Sequence, residues 1–234
     1  MALIVDAIRR IDAASGGGGS GATKLCTPQG TLQRQYTFDT TTQSWTVVAS
    51  VGSASLSSSS GNLVITHTTA SGDTAALEPS SATNIADGEV WLDYVGFTGG
   101  NTDSGVQDLG PIFRATDANN FYMVQLSMGT SSAARTEVSL WKNVAGTYTK
   151  LAGTSSVTGE LPPLHLDPAA PLRIMVRFVG THIWVYVNET LLLSATDSTY
   201  ATGRFGIYTY VNNAYSFDNV TALSLPSSWA PASY

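Results

Sequence analysis

Hydrophobic and polar residues alternate with period two through most of this chain. The clearest pair of runs is RIMVRFV and HIWVYVN, joined by Gly180-Thr181. Period-two alternation marks a strand with one face buried. It places Ile174, Val176 and Phe178 on one face and Arg173, Met175 and Arg177 on the other. In the second run Ile183, Val185 and Val187 face inward, and His182, Trp184 and Tyr186 face away. A Gly-Thr link between two such runs predicts a tight hairpin. Further strands are predicted at 35–38, 44–51, 62–68, 74–77, 89–97, 110–115, 121–127, 136–141, 148–152, 203–207 and 217–220. The segments between them are rich in Gly, Ser, Asn and Asp, which are turn formers. Many short strands without helical periodicity between them predict an all-β fold, a two-sheet antiparallel sandwich.

Period 3.6 occurs only at the start. Leu3, Ile4, Ala7, Ile8, Ile11 and Ala14 form one stripe of a predicted amphipathic helix over 1–14. A helix this short is marginal alone in water. Its large apolar residues contribute roughly 1.5–3 kcal/mol each when buried. Leu3, Ile4, Ile8 and Ile11 are therefore the candidate anchoring or oligomerisation residues, toward sister chains or another assembly protein. A Gly-rich linker and irregular arm follow at 15–33, then the sandwich at 34–223 and an extended tail at 224–234. The tract SGGGGSG is a flexible spacer by composition, either natural or an engineered scar. LPPLHLDPAAP, from Leu161 to Pro171, reads as a Pro-rich crossing loop.

Composition narrows the function. The net charge is −6, and Lys24, Lys142 and Lys150 are the only lysines. An acidic, Lys-poor surface argues against a nucleic-acid partner. Cys26 is the single cysteine, so no intrachain disulfide forms. No run reaches the ~18 apolar residues of a membrane span, and the N-terminus does not read as a secretory signal. An extracellular-style surface without an export signal fits a virion protein made in the host cytoplasm and released by lysis; a bacterial cytosolic protein, or a chain trimmed of its signal, is the alternative. His67, His165 and His182 lack zinc-ligand spacing. There is no nucleophile elbow and no phosphate-binding loop.

Several segments, by their order and spacing, resemble the concanavalin A-like lectin/glucanase superfamily in its laminin-G-like branch. They are Phe38-Asp39 with Trp45, Gly61-Asn62-Leu63, Gly110-Pro111-Ile112-Phe113-Arg114, Asn120 to Val124, Val187-Asn188, Gly203 to Ile207, and Phe217 to Val220. The resemblance implies a jelly roll of about a dozen strands. It implies carbohydrate or protein binding more often than catalysis. It also raises a weak structural Ca²⁺ at Asp39 and Asp218, against the simpler reading that Asp218 hydrogen-bonds a turn. Retaining glucanases need two carboxylates roughly 5–5.5 Å apart. The nearest approach to their acidic strand is Glu89-Val90-Trp91-Leu92-Asp93. Its two acids, four residues apart, share a face but lie about 13 Å apart along a strand. The strand is therefore read as structural and the protein as non-enzymatic.

If the strands share one sheet, their outward residues form one concave binding face. Its candidate ligand residues are Arg114, Gln125, Glu137, Trp141, Arg173, Arg177, Trp184 and Tyr186. Aromatics beside Arg and Gln suit a glycan or a protein interface; the alternative is pairing across strands or cover by loops. The leading expectation is a capsid decoration, head fibre or tail-tip adhesin of a phage, with possible attachment to a cell-surface glycan. The alternatives are a bacterial carbohydrate-binding module and a glycoside hydrolase with an atypical acid pair.

Overall fold

The structure is a computed structural model that describes residues 30–39, 41–50, 54–67, 72–98, 106–129, 135–154, 157–158, 172–210 and 214–229. The predicted helix over 1–14, the Gly linker, Cys26, the Pro-rich segment with His165, and the end of the tail lie outside these residues. The described chain forms β1 (Thr31–Tyr36), β2 (Thr46–Ser50), β3 (Ala54–Ser59), β4 (Asn62–His67), β5 (Asp73–Leu77), β6 (Gly88–Thr98), β7 (Val106–Asp117) and β8 (Asn120–Gly129). It continues as β9 (Arg135–Val144), β10 (Thr147–Gly153), β11 (Val157–Thr158), β12 (Leu172–Val179), β13 (His182–Val187), β14 (Thr190–Thr196), β15 (Arg204–Tyr210) and β16 (Ala214–Ser224).

These strands make two antiparallel sheets. Sheet I runs β14-β13-β12-β6-β16-β4-β3, with β1 added along β16; sheet II runs β10-β9-β8-β7-β15-β5-β2, with β11 added along β9. The predicted hairpin is present: Val179 pairs with His182 across Gly180-Thr181. Gly180 has φ 54°, which suits the first position of a type II′ turn. Some elements depart from expectation. β1 starts at Thr31, inside the arm expected to be irregular, because it adds along β16. β3 and β14 were not predicted: a Ser run reads as a turn, and Leu191-Leu192-Leu193 shows no alternation.

The core lies between the sheets. Phe113, Tyr122, Val124, Leu126, Val138 and Leu140 from sheet II meet Ile174, Val176, Phe178, Ile183, Val185 and Val187 from sheet I. All twelve are at most 1% exposed, and the six from sheet I are the ones read from the sequence as inward. Phe113 stacks between Tyr122 and Phe178, at 5.3 and 5.1 Å. At one end, Tyr36, Phe38, Trp45 and Phe205 pack as an aromatic cluster. There the fully buried Glu78 receives Arg34 in two hydrogen bonds of 2.8 and 2.9 Å and the Phe205 amide at 3.1 Å, tying β1 to β15.

Candidate functional site

The single concave face expected from the sequence does not form, because its strands belong to different sheets. β8 and β9 lie in sheet II, β12 and β13 in sheet I. Gln125, Glu137 and Trp141 therefore stand on the outer face of sheet II. Arg173, Arg177, Trp184 and Tyr186 stand on the outer face of sheet I, across the core. Arg114 belongs to neither face. It sits at an irregularity in β7 with φ 49° and is 2% exposed. Its guanidinium donates to the carbonyls of Ala86, Gly180 and Tyr200 and lies 5.0 Å from the Phe178 ring centroid. Arg114 holds loops together at one end of the sandwich.

On sheet I the charged residues satisfy one another. Cross-strand register sets Arg177 opposite Glu89 and Arg173 opposite Asp93. Arg173 donates twice to Asp93 at 2.7 Å. Arg177 donates through Nε to Glu89 at 2.7 Å and lies 4.7 Å from the Trp229 centroid and 5.5 Å from that of Tyr186. Burial pushes the Glu89 carboxyl above its usual range, and Arg177 opposes this without overcoming it. Charges removed from water must find partners, and here β6 and β12 supply them. Trp229, in the segment expected to be an extended tail, packs edge-on against Trp184 at 5.3 Å, and Trp184 stacks with His182. These rings line an open cleft of about 570 Å³ with Asp87, Thr181 and Ser227. The reading of cross-strand pairing thus describes Arg173, Arg177 and Tyr186.

Sheet II presents a different outer face, ordered in rows by its register. One row is apolar: Trp141, Met123, Ile112, Gly206 and Leu77. The next carries Ser139 and Gln125 with, two strands further on, Tyr208. A third is polar and acidic: Glu137, Ser127, Asp108, Tyr210 and Asp73. Asp73, Met123, Gln125, Trp141, Tyr148 and Tyr208 line a shallow cup of about 120 Å³. Trp141 is held in place by its indole N–H, which donates to Ser139 Oγ at 2.8 Å. Tyr208 donates its hydroxyl to Asp73 at 2.5 Å. Partial burial and then the charge of Asp73 push the Tyr148 phenol up to about 12, so it is a hydroxyl donor at neutral pH. Burial likewise pushes Asp108 up; hydrogen bonds from Ser127 and Gln125 oppose the rise, and the charges of Asp73 and Glu137 add to it. Lys150 contacts Glu137 and rests 5.8 Å from the Trp141 centroid. Asp73, Asp108, Tyr148 and Tyr208 were missed as site residues. The signal that could have found them is the sheet order, which brings β5, β7, β10 and β15 beside β8 and β9.

The residues raised for calcium, Asp39 and Asp218, accept hydrogen bonds from neighbours within the chain. Ca²⁺ takes 6–8 oxygen ligands. Among the described residues no group of three or more His, Cys, Asp or Glu is placed to hold a metal ion. Asp39 accepts from Thr37 at 2.7 Å, and Asp218 from the Asn219 amide at 2.6 Å. Burial raises the Asp218 carboxyl; the Asn219 amide opposes the rise, and the charges of Asp93 and Asp39 add to it.

Fold and geometry together define the class: a two-sheet antiparallel sandwich of galectin-like fold. The chain is similar to a protein of unknown function with a galectin-like fold from Bacillus subtilis, with TM-score 0.61 and 13% identity over 84% of this chain and 97% of that one. It is similar to an endo-β-1,3-glucanase from Pyrococcus furiosus, with TM-score 0.59 and 11% identity over 87% and 97%. A carbohydrate binding module from Bacillus subtilis matches with TM-score 0.50 and 21% identity over 79% and 97%. No protein-family model and no curated protein sequence matches the chain. At these identities the likeness carries the fold, and function has to be argued from the site.

Proposed function

We propose that the chain is a non-hydrolytic saccharide-binding protein that seats a sugar on the outer face of sheet II. The observation that carries this reading is the cup of Trp141, Tyr148, Tyr208 and Met123 with Gln125 and Asp73 among them. An aromatic face takes the C–H face of a sugar ring, while amide, hydroxyl and carboxylate groups exchange hydrogen bonds with its hydroxyls. Sheet I carries Trp184 and Trp229 beside an open cleft, but its arginines and acids are engaged with each other. The solved structures of this fold that carry carbohydrate-binding or glucanase titles favour a saccharide as the ligand. We further propose display on a virion surface, as a decoration, fibre or adhesin, through residues 1–21. This rests on the composition and on the order of helix, linker and sandwich in the sequence. Deleting residues 1–21 then abolishes incorporation into particles and leaves a folded, sugar-binding domain; a truncated chain that still incorporates contradicts the anchoring role. A glycan array tests the site: binding by the intact chain, lost in Trp141→Ala and kept in Trp184→Ala, supports it, and no binding by the intact chain contradicts it.

One observation favours hydrolysis as a second reading. Glu137 and Asp108, like Asp108 and Asp73, are separated by one intervening strand. Strands are spaced 4.7–4.9 Å apart, so each backbone separation is about 9.5 Å, near the upper end of the carboxylate spacing of inverting glycosidases. Sugar release that survives purification, and is lost in both Asp108→Asn and Glu137→Gln, establishes this reading in place of simple binding.

A further inference from the structure

We infer that the sheet II site selects saccharides by charge, taking neutral and above all amine-bearing sugars and rejecting uronates and sulfated glycans; this rests on the saccharide-binding reading above. Three carboxylates, Asp73, Asp108 and Glu137, share one cross-strand row of this face. Two cations of this face are Lys150, in contact with Glu137, and Arg204 at the far end of β15; Arg135 starts β9 two residues before Glu137. Arg204 is four residues from Tyr208, about 13 Å along a strand, and donates to the Glu78 carbonyl at 2.9 Å. An anionic sugar in the cup would meet the carboxylate of Asp73, with Asp108 and Glu137 in the row beside it.

The hydrogen-bonding capacity of the face points the same way. Asp108 is 9% exposed and Asn143 is 2% exposed, and the Oδ1 atom of each is buried without a hydrogen-bond partner. Both are acceptors on the outer face of sheet II, Asn143 in register with Phe121 and Tyr148, and Asp108 with Ser127 and Tyr210. A buried acceptor without a donor is costly, and a ligand rich in donors relieves that cost. An ammonium supplies three donors and accepts none, whereas a carboxylate supplies none. The face already holds one ammonium: Lys150 sits against Glu137 and over the Trp141 ring, where carboxylate and π-face both attract a cation.

The test is calorimetric titration of the full chain with three tetrasaccharides of one linkage, built from glucosamine, glucose and glucuronate. The expected order is glucosamine above glucose above glucuronate, with at least tenfold between the extremes, equivalent to about 1.4 kcal/mol. Added salt narrows the gap. Asp73→Asn and Asp108→Asn each reduce the ratio of glucosamine to glucuronate affinity; two variants guard against one that fails to fold. Equal binding of all three sugars, or preference for glucuronate, overturns the charge selectivity and leaves saccharide binding standing. Silence with all three sinks both.

Discussion

At the residue scale, the ion pairs of sheet I show how a face that reads as a binding surface becomes a structural one. Arg177 and Glu89 are 5% and 0% exposed at their side chains, while Arg173 is 29% exposed. Removing one member of a buried pair leaves an uncompensated charge and costs roughly 3–5 kcal/mol, whereas replacing both by apolar residues is often neutral. Urea unfolding of Arg177→Met should show a loss of that size, and the double variant with Glu89→Leu should recover most of it. Arg173→Met should cost about 1 kcal/mol, since solvent screens the more exposed pair. Asp197 gives a pH dependence. Burial alone would raise its carboxyl, but hydrogen bonds from Lys142, Thr199 and Tyr122 outweigh burial and hold it well below the usual range. Its folded-state value lies below its unfolded value, so its contribution is present above about pH 4 and is lost as pH falls further. Unfolding free energies measured from pH 7 to pH 2 should therefore fall less steeply for Asp197→Asn than for the parent. An unchanged acid slope contradicts the assignment.

At the element scale, the strands were legible where a side chain alternates and illegible where it does not. β12 and β13 announce themselves through Ile174, Val176 and Phe178 against Ile183, Val185 and Val187, and all six are in the core. β14 hides behind three consecutive leucines, and β3 behind serines. Arg114 misled because alternation assumes an unbroken pleat, and β7 carries a left-handed residue at that position. Gly110 makes another close approach in β7: an added Cβ would lie 2.1 Å from the Val124 carbonyl oxygen on β8. Gly110→Ala must push those strands apart, at a cost of about 1–3 kcal/mol or more. A urea midpoint equal to that of the parent would show that the strands yield without penalty. Trp141, Gln125 and Glu137 were read as outward because they follow the same period as their buried neighbours. Their neighbours Asp73, Asp108, Tyr148 and Tyr208 come from four other strands, and Tyr208 and Asp73, which hydrogen-bond each other, lie 135 residues apart; periodicity within one strand says nothing about which strand lies beside it.

At the scale of the whole molecule, β7 to β11 lie in sheet II and β12 to β14 in sheet I, and that separation decides where binding can occur. One sheet turns its charges inward upon each other under Trp229; the other leaves an aromatic cup with an acidic edge. The central claim is that the second face binds a saccharide and the first does not. Calorimetric titration of the best array ligand into the parent, Trp141→Ala and Trp184→Ala tests this directly. The account predicts at least a tenfold loss of affinity for Trp141→Ala with unfolding behaviour retained, and less than a twofold change for Trp184→Ala. Affinity lost in Trp184→Ala and kept in Trp141→Ala would place the ligand on sheet I and contradict the account.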